Sequence, residues 1–178
     1  FSSGAAAQVA ADGTFTVPNV TPGDYSAGLV ARSEGFYLRS IRYGDQEVLD
    51  GVLSVRPGGA SATLDMVLRP AGGQVEGVVL DADRQPAAGA TVVLAPEKSR
   101  REHARYYRST TAGQDGRFHF RAVIPGDYVV LAWEDIESGA WRDPDVLEPA
   151  ESSGARVTVR EQGTESVQLR VITEGPPR

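Results

Sequence analysis

His103, Tyr106, Tyr107 and His119 are the residues whose types could first do chemistry in this sequence. Imidazole suits iron, and tyrosine adds an oxygen ligand. A second set is acidic. Glu134, Asp135, Glu137, Asp143, Asp145 and Glu148 crowd one stretch. Carboxylate oxygens of this kind suit calcium, with Asp135, Glu137, Asp143 and Asp145 as the candidates. Their spacing matches no calcium loop, so a solvated acidic edge is the expectation, and no metal or cofactor is expected. A hydrolytic triad fails early. The chain has two histidines and no Gly-x-Ser-x-Gly turn, so nothing assembles a nucleophile and its base. It has no cysteine, which excludes disulfides, thiolate metal sites and cysteine catalysis.

Tyr106, Tyr107, Trp133 and Trp141, with Arg105 beside them, form a candidate ligand surface. Amphipathic rings often mark places where sugar or peptide is held. The competing expectation is that Trp133 packs at the end of a core and Trp141 pins its own loop. Arg100, Arg101, Arg105 and Arg108 make a local basic patch, read as a solvated loop or as a salt contact with the acidic stretch. The formal net charge of −6 argues against a nucleic-acid partner. No apolar run approaches the ~20 residues that cross a bilayer as a helix.

The elements that must position these residues are set by a repeat. Asp115-Gly-Arg-Phe-His-Phe-Arg-Ala-Val-Ile-Pro-Gly-Asp-Tyr128 returns the plan of Asp12-Gly-Thr-Phe-Thr-Val-Pro-Asn-Val-Thr-Pro-Gly-Asp-Tyr25, at a constant offset of 103 residues. Asp115-Gly116 predicts a two-residue hairpin turn with both residues at positive φ. Phe118 and Phe120 then fall on one strand face, and Arg117, His119 and Arg121 on the other. Pro125-Gly126 predicts a type II turn. Tyr128, Val130 and Ala132 share one face of the next strand; Val129, Leu131 and Trp133 share the other. Phe15 and Val17, then Tyr25, Ala27 and Leu29, repeat this less regularly.

Glycine and proline, 20 and 11 in number, fall as regular punctuation, which is the habit of short strands rather than of disorder. Gln8–Ala10, Phe36–Tyr43, Glu47–Val55 and Ala62–Leu68 read as strands of a first module, with Leu64, Met66 and Leu68 on one face. Arg69–Gly73 is a short linker. Gln74–Asp81, Ala90–Ala95, Arg108–Thr111, Arg156–Val159 and Ser166–Ile172 read as strands of a second module. Ala90, Val92 and Leu94 share a face there, and Asp81-Ala-Asp83 starts a turn. Val167, Leu169 and Val171 stand at the same offset from Leu64, Met66 and Leu68. Pro96–Tyr107 and Glu134–Asp145 are read as loops. The first module has only Phe1–Ala11 where the second spends Gln74–Gln114, so it lacks the equivalent of two strands. Truncation is the expected reason, and donation of strands from elsewhere is the other.

The ordered set Gly77-Val-Val-Leu-Asp81, Pro86-Ala-Ala-Gly-Ala-Thr-Val-Val-Leu94, Thr110-Thr111, Asp115–Phe120 and Val123-Ile-Pro-Gly-Asp-Tyr128 resembles the carboxypeptidase regulatory-like domain. The resemblance implies a seven-stranded transthyretin-like (prealbumin-like) sandwich, complete in 71–178 and partial in 1–70. It implies an all-β chain of two tandem antiparallel, Ig-like sandwiches with no catalytic residues of their own. Intradiol dioxygenases share a similar sandwich and bind ferric iron through two tyrosines and two histidines. They place a His-x-His pair after the strand that follows the Pro-Gly turn, where this chain reads Trp133-Glu-Asp-Ile136. His119 also points away from its phenylalanine neighbours' face, so no iron enzyme is expected. The only lysine, Lys98, and the only asparagine, Asn19, lie in different modules, which rules out a Lys–Asn cross-link within one.

The expected function is therefore a non-catalytic spacer or interaction module of a secreted, periplasmic or cell-surface bacterial protein. Its expected partners are other domains or chains of that exported protein. A glycan- or polypeptide-binding module using loops 98–108 and 133–148 is one alternative. Assembly by strand donation into the incomplete first module is another.

Overall fold

The computed structural model describes residues 6–29, 36–58, 62–70 and 72–173. Its strands are β1 (Gly23–Tyr25), β2 (Phe36–Tyr43), β3 (Gln46–Glu47), β4 (Leu53–Val55), β5 (Leu64–Pro70), β6 (Gly73–Leu80), β7 (Thr91–Pro96), β8 (Arg108–Thr111), β9 (Arg117–Val123), β10 (Gly126–Trp133), β11 (Ala155–Val159) and β12 (Thr164–Arg170). One short α-helix, α1 (Pro144–Ala150), interrupts them among the described residues. The chain is all-β. It divides into two compact units, one from the described residues of 1–30 and 40–67, the other from those of 31–39 and 68–178.

The second unit is a sandwich of a four-stranded sheet, β11-β10-β7-β8, and a three-stranded sheet, β12-β6-β9. Strand alternation decides what lies between them. Phe118 and Phe120 of β9 face inward while Arg117 and Arg121 are exposed. They meet Val75 and Val79 of β6, Val92 and Leu94 of β7, and Tyr128 and Val130 of β10 in one core. The opposite faces of β7 and β10 are covered too. Val93, Ala95, Val129, Leu131 and Trp133 pack there with Tyr107, Trp141 and Leu147 in a second apolar layer. Burial on both sides explains why β7 and β10 read as unbroken apolar runs, as two-sided strands do.

Both signature turns differ from expectation. In the Asp115-Gly116 turn only Gly116 has positive φ, at 71°. Gly116 N–H donates to Gly113 O at 2.9 Å, Gly113 N–H donates to Arg117 O at 2.8 Å, and Asp115 Oδ1 accepts from Arg117 N at 3.1 Å. The loop carries the chain from β8 in one sheet to β9 in the other, so it is a corner between layers. Pro125-Gly126 is a second such corner, from β9 to β10. Gly126 has φ of 154°, far from the ~80° that a type II turn requires. A Cβ at Gly126 would also stand 2.6 Å from Arg100 Nη1.

The two repeat stretches carry the same local hydrogen bonds. Tyr128 Oη donates to Ile124 O at 2.8 Å and Tyr25 Oη to Thr21 O at 2.6 Å. Thr158 Oγ1 donates to Asp127 Oδ1 at 2.6 Å, and Ser54 Oγ to Asp24 Oδ1 at 2.6 Å. Asp12 Oδ1 accepts from Thr14 N at 2.9 Å, as Asp115 does from Arg117. The pairing of β1 with β4 thus corresponds to that of β10 with β11.

The first unit is less regular. Gln8–Ala10 is not a strand; Ala10 N–H donates to Thr14 O at 2.8 Å and closes a turn instead. Residues 14–20 have the strand pattern but form no ladder. Phe36–Tyr43 is a strand, turned by Gly44 at φ 58°. The run expected over Glu47–Val55 breaks after Glu47. That side chain's Oε1 accepts from Ile41 N at 2.9 Å and Leu49 N at 3.2 Å, which bends the chain away from the ladder. Strand β5 lies at the edge of the sheet β3-β2-β5.

Two loops hold more structure than expected. Lys98–Arg100 and Ala104–Tyr106 are single 3₁₀ turns. Asp143 caps α1, its Oδ1 accepting from Asp145 N at 2.9 Å, with Pro144 at the first helical position.

Candidate functional site

The aromatic candidates are core residues. Tyr106, Tyr107 and Trp133 are each 2% exposed and Trp141 is 7% exposed. Tyr106 and Tyr107 are sequence neighbours that enter different layers. Tyr106 joins the core between the sheets, and Tyr107 joins the outer layer with Trp133 and Trp141. The expected ring platform is therefore corrected: none of the four rings turns its face to solvent. Arg105 is half-buried beside them.

The basic and acidic stretches meet. Arg101 Nη2 lies 2.6 Å from Glu151 Oε1, with both side chains 14% exposed. Arg101 Nε donates to Pro96 O at 3.2 Å. Lys98 Nζ lies 3.0 Å from Glu148 Oε1 in the open. Arg100 stacks 4.8 Å from the Tyr106 ring centroid and donates to Pro125 O at 3.1 Å. Arg142 stacks 5.9 Å from the Tyr107 ring. Lys98, Arg101 and Arg142 hold one loop on the other, and Arg100 ties its loop to the β9–β10 corner. Glu151→Gln should cost about 2 kcal/mol, because Arg101 keeps its burial and loses its charged acceptor. Lys98→Ala should cost under about 0.5 kcal/mol, because its pair is solvated. Urea unfolding of both variants checks the contrast.

The metal candidates do not assemble. Among the described residues no three His, Cys, Asp or Glu side chains stand together as a ligand set. Asp135, Glu137, Asp143 and Asp145 are exposed, and Asp143 is used as the cap of α1. His103 stacks edge-on against Tyr106, its ring 6.2 Å away. His119 lies on β9's outer face, where Nε2 is 2.9 Å from Gln74 Oε1 and Nδ1 accepts from Arg121 Nε at 3.2 Å. The sequence reading missed one concavity. Thr91, Ser109, Thr111, Ile136, Ser138 and Trp141 line an open depression of about 280 Å³ beside edge strand β8. Its only signal in the sequence is the Ser109-Thr110-Thr111 run.

Three tyrosines are shifted upward. Burial raises Tyr128, and burial raises Tyr107 against the pull of Arg101 and Arg142. Tyr37 is raised by burial and then by its hydrogen bond to Glu161, a contact within the second unit. In the unfolded chain these phenols ionise near pH 10. The folded chain resists that ionisation, so their contribution is present below about pH 10 and is lost as pH rises toward the folded-state values. Stability should therefore fall above about pH 10, with phenolate absorbance lagging in the native state. Alkaline titration followed at 295 nm, beside circular dichroism, measures both.

The fold and the site define a β-sandwich module whose loops are packed inward. Residues 74–141 match the model of the carboxypeptidase regulatory-like domain. The search of curated proteins returned no match. Among solved structures, a proposed carbohydrate-binding protein of Pseudomonas aeruginosa is 20% identical, with 56% of this chain and 88% of that chain covered and a TM-score of 0.38. The minor pilin of Streptococcus agalactiae is 18% identical, with 78% of this chain and 62% of that chain covered and a TM-score of 0.38. The 5-hydroxyisourate hydrolase of Klebsiella pneumoniae is 23% identical, with 58% of this chain and 86% of that chain covered and a TM-score of 0.31. No described helix is long and apolar enough to cross a membrane.

Proposed function

We propose that this chain is a non-catalytic structural module of an exported bacterial protein, with its second unit as a stiff spacer and its first as an interaction element. The inward packing of Tyr106, Tyr107, Trp133 and Trp141 carries this reading. Residues that would have made a ligand surface instead lock the 98–108 and 134–154 segments onto the four-stranded sheet. A spacer needs such stiffness, because every locked loop removes a hinge. The family match over 74–141 supports the spacer role. The extracytoplasmic setting, and partners drawn from the same exported protein, belong to this proposal.

Hydrogen exchange on the whole chain tests it. Amides of the two locked segments should exchange with the protection of β7 and β10, that is, by near-global opening. Rapid exchange there, with saturable binding of neutral oligosaccharides to the same segments, would replace the spacer by a binding module.

One observation favours assembly as a second role. Among the described residues the exposed large apolar ones are Val9, Leu29, Val52 and Val67 of the first unit and Phe36 and Leu68 of the second. Light scattering coupled to gel filtration separates the outcomes: a compact monomer leaves the spacer alone, and a defined oligomer adds assembly.

A further inference from the structure

The four-stranded sheet of the second unit ends at β8, and among the described residues no strand pairs with the outer edge of β8. The ladder with β7 fixes what that edge presents. Ala112 N–H donates to Ala90 O at 2.9 Å, and the register continues through Thr110 opposite Val92 to Arg108 opposite Leu94. In an antiparallel pair, every second residue turns its N–H and C=O to the partner. Arg108, Thr110 and Ala112 therefore face β7. Ser109 and Thr111 direct both of their main-chain groups to the open edge.

Edges of this kind are commonly blunted by charge, proline or a bulge. The other three edge strands of the unit carry exposed arginines: Arg156 in β11, Arg117 and Arg121 in β9, and Arg170 in β12. β8 does not. Its one cation, Arg108, is half-buried and donates to Ala122 O at 3.5 Å. The exposed positions of β8 are Ser109 and Thr111, which leave the edge open to a further strand.

The depression beside β8 gives that strand a chemistry. Side chains placed opposite Ser109 and Thr111 would share the face of those two residues, and both line the depression. Its volume of about 280 Å³ falls below the ~300–1,000 Å³ of pockets that enclose a whole small molecule, so it suits one or two side chains. Ile136 and Trp141 supply an apolar wall. The segment that contributes Ile136 also carries Glu134, Asp135 and Glu137, all exposed. Among the described residues, none of these three carboxylates makes an ion pair or a hydrogen bond. An apolar wall beside a free acidic rim matches a long side chain that lays its stem on the wall and holds a cation at the rim.

We propose that β8 is a strand-addition site for an extended polypeptide segment with lysine or arginine at alternate positions, opposite Ser109 and Thr111. The segment pairs antiparallel with β8 and becomes a fifth strand of the sheet. Its main chain bonds to the outward groups of Ser109 and Thr111, and its cations meet Asp135 and Glu137. The locked loops stay as they are, so this inference goes beyond the spacer reading and does not rest on it.

A labelled peptide with blocked ends, Thr-Val-Lys-Val-Lys-Val-Thr, is the probe. Its binding to the whole chain is read by anisotropy, and the place of binding by hydrogen exchange. The expected result is one-to-one saturation, with the amides of Ser109 and Thr111 slowing about tenfold or more. The same peptide N-methylated at both lysines keeps its charge and loses the amides that face β8. It should bind at least about tenfold more weakly. Asp135→Asn combined with Glu137→Gln should weaken binding about threefold or more and leave the melting temperature unchanged, because both side chains are solvated. Four results overturn the inference. The first is no saturation up to about 1 mM peptide. The second is equal binding of the N-methylated peptide, which means attraction by charge alone. The third is protection gained at β9, β11 or β12 instead of β8. The fourth is a chain already oligomeric with Ser109 and Thr111 protected before peptide is added, which gives the edge to a second copy.

Discussion

Gly77→Ala should unfold the second unit's three-stranded sheet, at a cost of at least about 3 kcal/mol. Gly77 lies in β6 between Val167 of β12 and Phe118 of β9. A Cβ there would stand 2.0 Å from Val167 O, a backbone atom that cannot rotate aside, and 2.9 Å from the Phe118 ring. The backbone at Gly77 is ordinary extended chain, so the penalty is collision alone. Relief requires β12 to move off β6, which opens Val75, Val79 and Leu169 to water. Melting temperature should drop by more than about 10 °C for a unit of this size. Two controls sharpen the claim. Gly89→Ala meets nothing within 4 Å and is disfavoured only by its φ of 82°, which costs about 1 kcal/mol. Adding Phe118→Ala to Gly77→Ala should not rescue it, because the carbonyl collision remains. A melting curve for Gly77→Ala that overlays the parent would mean β6 and β12 are not paired in this register.

Strands β9 and β10 show how much of the fold was legible in the sequence. Period-two alternation over Phe118–Arg121 and Tyr128–Trp133 fixed which side chains face which layer, because a strand has only two faces. Turn positions were legible as well, from Asp-Gly and Pro-Gly. Turn geometry was not. A dipeptide specifies local φ and ψ, but whether the next strand joins the same sheet or the facing one is decided by packing across the sandwich. Helix α1 had its start signal, Asp143-Pro144, but seven residues with Pro149 inside show no helical period. The first unit exposes the opposite error. Residues 14–20 carry the pattern of a strand, yet a strand requires a partner, and pattern within a segment is silent about partners. The candidate site failed for a related reason. Tyr106, Tyr107, Trp133 and Trp141 are the residue types that bind ligands and also the types that fill cores. A sequence holding a second apolar layer outside its four-stranded sheet looks the same as one holding an exposed platform.

Trp133→Ala separates those two cases by energy. If the ring were a platform, its removal would abolish ligand contact and leave folding nearly unchanged. Buried in the outer layer, it should cost about 3–5 kcal/mol, the range for truncating a large core side chain. Trp133 ends β10, and the backbone around it is tied to the residues that follow β12: Ile172 N–H donates to Ala132 O at 2.7 Å and Glu134 N–H to Ile172 O at 3.0 Å. Loss of the indole therefore leaves a cavity against Trp141, Leu147 and Tyr107 just where the 134–154 segment leaves the sheet. That segment should loosen before the sandwich core, which is packed on the other face of β10 by Tyr128, Val130 and Ala132. Two readouts should report this order. The remaining tryptophan, Trp141, should shift its emission to the red and become quenchable by iodide at denaturant concentrations that leave far-ultraviolet circular dichroism intact. Urea unfolding should then show the midpoint lowered in proportion to the lost stability. An unchanged midpoint together with an already quenchable Trp141 in the parent protein would return the rings to the surface and revive ligand binding at these loops.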